Sequence, residues 1–302
     1  MLPALGSVMF AWVLLKLGWY WNVEAAALLQ QSSADSWLLR WFRFDRSFVD
    51  ALREGAYGTF FNFNEGATFF NFKPARTLNA SLWTMPWELA GSLLVFSLLP
   101  LFGWLKRRFL IYAFVALAFY AMEWPFLVDF VAGLALCDVF THYEHAGWEK
   151  SLSPVGPTAA FLAGLILGGL SEEWPSIHHG FSSYFISCWP TVPAILIIGG
   201  VTFSSKLQCA LEGRTMAFLG KISFPLYLFH LSIICSVGCG LYVWLRRSAM
   251  SHAVSAVISS AVCISILLLL AWSLYFVLEL PSLRFARRIG QWFMRGESAH
   301  ST

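Results

Sequence analysis

The chain has 302 residues, 58% of them apolar and 12% charged, with a net charge of +3 and a mean hydropathy of +0.64. Charged residues at about half their usual share cannot cover a water-soluble fold of this size. With no basic run longer than Lys106-Arg107-Arg108, the charge also gives no purchase to nucleic acid. The composition is that of an all-α, polytopic transmembrane helical bundle whose first partner is the lipid bilayer.

An apolar stretch of about 17–25 residues crosses a bilayer as a helix. Such stretches predict about eight spans: Leu2–Trp21, Leu82–Leu105, Phe109–Trp124, Pro125–Phe140, Val155–Ser171, Ser187–Phe203, Ile222–Leu245 and Ala253–Leu278. The third and fourth are short and meet in a tight turn at Glu123-Trp124-Pro125. No basic segment precedes the first apolar stretch, so a cleaved signal peptide is not expected.

Orientation follows from Lys and Arg in the short loops. One side holds eleven, Lys106, Arg107, Arg108, Lys150, Lys206, Arg214, Lys221, Arg284, Arg287, Arg288 and Arg295; the other holds two, Arg246 and Arg247. Both termini are therefore predicted to be cytoplasmic, and the long connection Asn22–Ser81 extracytoplasmic. Within it, Trp37, Trp41, Phe44, Phe48 and Leu52 recur at helical spacing, which predicts a helix lying in the interface. Phe60-Phe61-Asn62-Phe63 recurs as Phe69-Phe70-Asn71-Phe72 around a turn at Asn64-Glu65-Gly66, as a hairpin or a pair of headgroup-level anchors would. Asn79-Ala80-Ser81 has the glycosylation acceptor pattern but abuts a span, so no glycan is expected there.

Six cysteines, Cys137, Cys188, Cys209, Cys235, Cys239 and Cys263, form no C-x-x-C pair and read as packing residues. Ionisable groups inside spans are costly and point to function; six positions qualify, Lys16, Glu88, Asp129, Asp138, His230 and Glu279. Glu88 shares a helix face with Thr84 and Ser92, beside Gly91, where another helix can approach, and Pro86, which frees a carbonyl. His230 shares a face with Ser223 and Tyr227, and an imidazole takes protons near neutral pH. Asp129, Asp138 and Glu279 lie nearer span ends, where capping suffices, and Lys16 can reach an interface along its stem. His142, Glu144 and His145 are too loose a group for a metal site.

The segment from Ser81 through Glu88 to Phe96 resembles the W-[ST]-[LM]-x-x-E segment of the membrane-bound acyltransferase family three, in its fungal-type wording. Leu219 to His230 is similar to that family's L-G-x-I-S-[YF]-x-x-Y-L-x-H helix, and Glu279-Leu280-Pro281 with Arg284 is similar to its closing E-x-P signature. The resemblance implies an acyltransferase-like membrane domain over residues 1–284, with 22–81 as its extracytoplasmic loop and 285–302 as a basic cytoplasmic tail. It also implies an activity: an acyl group, commonly acetyl, moves from a coenzyme A thioester, the co-substrate, to a hydroxyl of a carbohydrate, lipid or small molecule. No bound cofactor is implied. In that site Glu88 would assist the base, and His230 with Tyr227 would position acceptor or thioester. Trp83 would wall the pocket, and Lys221 and Arg284 would meet the coenzyme phosphates. The family has ten helices, the first carrying its proton-abstracting histidine. Here Leu2-Pro3-Ala4-Leu5-Gly6 resembles the start of the third, so a chain lacking the first two helices is expected, with little transfer of its own. Two other readings stand beside this one: a catalytically incomplete remnant, and a transporter or flippase of acylated substrates, which inverted repeats would favour.

Overall fold

The computed structural model describes residues 2–29, 37–61, 77–102, 107–122, 124–145, 155–169 and 190–299. It is helical, with no strand among the described residues. Each predicted span holds a helix, but among the described residues three helices are long and apolar enough to cross a membrane: Ala80–Pro100, Arg214–Arg247 and His252–Trp292. A fourth crossing is available if Thr191–Thr202 and Ser205–Leu211, bent by 93° at their junction, act as one. Leu2–Lys16, Arg108–Ala121 and Val155–Gly169 are apolar but shorter. These helices are consistent with a membrane protein.

The chain divides into two compact units, one of Met1–Pro86 with Phe218–Thr302, the other Trp87–Ala217. The first unit is built around α1 (Leu2–Lys16), whose buried face carries Ala4, Ser7, Val8, Ala11 and Leu14. Small residues along that face let partner helices approach closely, the means by which helices associate where lipid offers no hydrophobic drive. At Gly55 an added Cβ would lie 3.0 Å from the Leu5 Cα. The helix stops before the predicted Trp21 because Gly18 takes φ +65. Trp19 N–H then bonds the Leu14 carbonyl and Gly18 N–H that of Leu15, at 3.0 and 3.1 Å, a Schellman closure.

After α2 (Asn22–Leu28), the continuous interfacial helix expected over 37–53 is not formed. A 3-10 turn Trp37–Arg40 and α3 (Phe48–Arg53) are separated by irregular chain. Phe42 takes φ 55 there, and its buried ring stacks on Tyr20 at 3.7 Å. Ser47 caps α3 by accepting from Asp50 N–H. A π turn, Glu54–Gly58, and the short Thr59–Phe61 follow; the rest of the paired aromatic motif lies outside the described residues. A 3-10 turn, Ala80–Thr84, leads into α4 (Met85–Phe102).

Four of the helices in the second unit are α5 (Arg108–Ala121), α6 (Pro125–His145), α7 (Val155–Gly169) and α8 (Thr191–Thr202). The turn between α5 and α6 falls where Trp124-Pro125 predicts it, with Pro125 as the first helical residue, where its missing N–H costs nothing. Glycines set the crossings. A Cβ at Gly91 of α4 would stand 2.3 Å from the Phe130 ring, and one at Gly200 of α8 would meet Phe161 N and Pro157 O at 2.7 Å. Asp138 pairs with Arg108 at 2.8 Å and accepts from the Tyr112 hydroxyl, while Asp129 accepts from Thr191. These acids therefore hold helices together. Ser204 caps α9 (Ser205–Leu211) beyond the bend.

The chain returns to the first unit through α10 (Arg214–Ile233), a π turn Ile234–Gly238 and α11 (Cys239–Arg247). The π turn steps the hydrogen-bond ladder by one residue, and the Cys235 carbonyl accepts from Trp21 N–H at 2.9 Å. Gly240 leaves room for the Trp21 ring, which a Cβ would meet at 2.9 Å. Capped by Ser251, α12 (His252–Leu274) runs through a third π turn, Tyr275–Glu279, into α13 (Leu280–Ala299). The described cysteines are all free thiols.

Candidate functional site

The polar centre of the first unit is the short segment 77–84, pinned on both sides by buried groups. Asn79, 1% exposed, donates from Nδ2 to the Ser7 hydroxyl of α1 and to the Leu228 carbonyl of α10, both at 2.8 Å. Its Oδ1 accepts from Ser81 N–H at 3.1 Å and so starts the 3-10 turn. Both faces of one amide are thus used to tie two helices and a loop. A side chain so committed cannot carry a glycan in the folded protein, in keeping with the expectation for Asn79-Ala80-Ser81.

On α10 the hydroxyl of Tyr227 donates to the Ser81 carbonyl. Its proton is thereby spent, so the Thr84 hydroxyl, 3.3 Å away, is the donor in the second contact. Half-buried His230 sits one turn further along, its ring centroid 6.0 Å from that of Tyr227. Nδ1 of His230 lies 2.7 Å from the Tyr227 carbonyl. A carbonyl only accepts, so Nδ1 carries a proton toward it, and Nε2 is the ring nitrogen left to meet a reactant. Phe229 packs edge-on against Phe10 of α1 and fixes the helix face. Ser223 does not join this stripe: it is exposed, and its hydroxyl returns to the Gly220 carbonyl.

Glu54 completes the centre from the other side. It is 5% exposed, and its Oε1 accepts from Leu78 N–H at 2.8 Å. Burial pushes its carboxyl above the usual carboxylate range, against the pull of the Leu78 amide. No helical period along the chain places this acid inside. The signal was Gly55 beside it, a small residue that lets the Glu54 turn press against α1.

Tyr227, His230, Ser81 and Thr84 are brought together, with Trp83 on the same turn, 40% exposed. Glu88 departs from the expectation of a buried acid: it belongs to the second unit and its side chain is exposed, as is that of Ser92. Nor is a carbonyl left open by Pro86. The acceptor four residues back, Leu82, is taken by Met85 N–H through the 3-10 turn. Lys221 and Arg284 are exposed, and Lys16 pairs with Asp45 at 2.5 Å. Glu279 closes the third π turn. No group of three or more metal-ligating side chains occurs among the described residues, and the side chains of Glu144 and His145 lie outside them.

The residues that sequence reasoning missed are Glu54, Asn79 and Ser7, whose partners lie far along the chain. Comparison with known proteins adds no relative: no protein-family model, no curated protein and no solved structure matches this chain.

Proposed function

We propose that the chain is an eight-span membrane acyltransferase, both termini cytoplasmic, that moves an acyl group from a coenzyme A thioester to a hydroxyl, with His230 as the base in place of the first-helix histidine whose absence led the resemblance to imply little transfer. The observation that carries this reading is the orientation of His230. With Nδ1 held by the Tyr227 carbonyl, Nε2 takes the acceptor hydroxyl's proton as its oxygen attacks the thioester carbonyl. The carbon–sulfur bond then breaks, and the proton passes to the departing thiolate. Tyr227 and Thr84 order the polar wall, and Trp83 bounds it. Lys221, nine residues earlier on the same helix, stands about 14 Å along the axis, a suitable reach for the phosphates of the coenzyme, with Arg284 as a second exposed cation. Glu88 is assigned no step.

Membranes carrying the chain and radiolabelled acetyl-coenzyme A test the proposal. Label should pass to a hydroxyl-bearing acceptor, and His230→Gln should lower the rate by roughly 10²–10⁴-fold. Transfer no greater than in membranes without the protein, or transfer unchanged in that variant, would refute it.

A further inference from the structure

A cavity of about 520 Å³ runs between the Ile234–Arg247 stretch and α12, all within the first unit. Ala25, Leu29 and Leu38 close its side. Its described lining is apolar apart from Ser259 and Ser260 along α12 and a polar end. There Tyr242 and His252 meet, hydroxyl to Nδ1 at 2.9 Å; at the other end stand Ile234, Cys263 and Ile264. From His252 to Ile264 is twelve residues of helix, about 18 Å. At Gly238 in the π turn the two walls approach closely, since an added Cβ would stand 3.2 Å from the Cys263 sulfur. The Ser259 hydroxyl, which also lines the cavity, is satisfied by the Ala256 carbonyl and asks nothing of a ligand.

We infer that this cavity binds one fatty-acid chain, carboxylate at the Tyr242–His252 end. Shape, volume and charge agree. At roughly 30 Å³ per methylene, taken as the size of a water, 520 Å³ matches one chain of about sixteen to eighteen carbons. The size also falls within the ~300–1,000 Å³ of small-molecule sites. Beyond the polar end and outside its lining, Arg246 and Arg247 close α11 one turn past Tyr242, Arg246 donating to the Met250 carbonyl at 2.6 Å, and His252 is the first residue of α12. The partial positive charge of that helix start adds to the arginines in favouring an anion. Tyr242 lies twelve residues beyond His230, about 18 Å along the helix, so the site stands without the acyl-transfer reading.

The test uses the full chain, purified in detergent and freed of lipid, with a sixteen-carbon fatty acid bearing a photoactivatable diazirine near its methyl end. Saturable cross-links should map to residues 234–242 and 252–264, be displaced by palmitate, and be displaced at least tenfold less well by hexadecanol. Ala256→Phe, which fills the cavity, should lower labelling roughly tenfold or more. Should that variant fail to fold, Ser260→Phe, at an exposed lining position, makes the same test, and His252→Gln with Arg246→Gln should remove the preference for acid over alcohol. Labelling that is unsaturable, that spreads over other lipid-facing helices, or that persists in the filled variants overturns the inference. So does equal competition by hexadecanol, or displacement by a diacyl phospholipid at palmitate's concentration.

Discussion

Asn79 offers the sharpest stability test, because a single amide holds three groups at once. Asn79→Leu keeps the volume but removes two donated hydrogen bonds, to Ser7 and Leu228, and the cap on Ser81 N–H. At about 1 kcal/mol for each bond and about 1 kcal/mol for the cap, the loss is roughly 3 kcal/mol. At about 2–4 °C per kcal/mol, the unfolding midpoint should fall by roughly 6–12 °C. Asn79→Asp retains the capping oxygen but sets carboxylate oxygen against the Ser7 hydroxyl oxygen and the Leu228 carbonyl. It should therefore be at least as damaging at neutral pH, and should recover partly in acid, where a protonated carboxyl again donates. Fluorescence-detected size-exclusion after graded heating of the detergent-solubilised protein reads both midpoints. A midpoint for Asn79→Leu within about 1 °C of wild type would show that Asn79 does not join α1 to α10 and would sink the argument. Treatment with a glycosidase should leave the wild-type mobility unchanged, since the folded amide is not available for modification.

Three further outcomes follow from other contacts. Glu54→Gln should stabilise the protein increasingly as pH rises above about 4.5, the ordinary carboxyl value: below it both folded and unfolded Glu54 are protonated, above it the unfolded carboxyl ionises first and wild type alone loses stability, until the folded carboxyl ionises too. Parallel pH–melting curves for the two proteins would contradict this. Gly200→Val should cost at least roughly 1–3 kcal/mol, because the atoms it meets, Phe161 N and Pro157 O, are backbone and cannot swing aside; a melt equal to wild type would refute so close a crossing. Reporter tags at the C-terminus and within 37–53 should be accessible from opposite faces of the membrane, and finding both on one face would overturn the proposed orientation.

Helices and their approximate places were legible because long apolar runs have few alternatives to a helix in lipid. Their ends were less so. The first span ran past Gly18 on hydropathy alone, although glycine is the residue that can close a helix with positive φ. The last helix was expected to end at Leu278, before Pro281. It continues because Leu280 N–H bonds the Tyr275 carbonyl five residues back, so the ladder is already stepped where the proline lacks its donor. The helical spacing of Trp41, Phe44 and Phe48 misled for a different reason. Ser47, which caps α3, and the left-handed Phe42 break the backbone, and the buried Phe42 ring is held by Tyr20 from a distant part of the chain. At the site, Tyr227 and His230 were visible as a stripe three residues apart. Glu88 seemed the buried acid because hydropathy counts neighbours in sequence, whereas burial of Glu54 depends on α1 and residues 77–79 folding over it.

The extra residue in the Ile234–Gly238 turn has a rotational meaning. Each helical residue turns the chain by about 100°, so removing one residue there and restoring an α ladder would swing all of α11 about its axis by that angle. Tyr242 would leave His252, Gly240 would leave the Trp21 ring, and the carbonyl that holds Trp21 would close back into its own helix. A one-codon deletion at this turn is therefore not a local shortening but a change of which face α11 shows to α2 and α12. Pairing the deletion with an insertion between Gly238 and Tyr242 would return the face and leave only the Trp21 anchor lost, separating the angular role of the turn from its hydrogen bond.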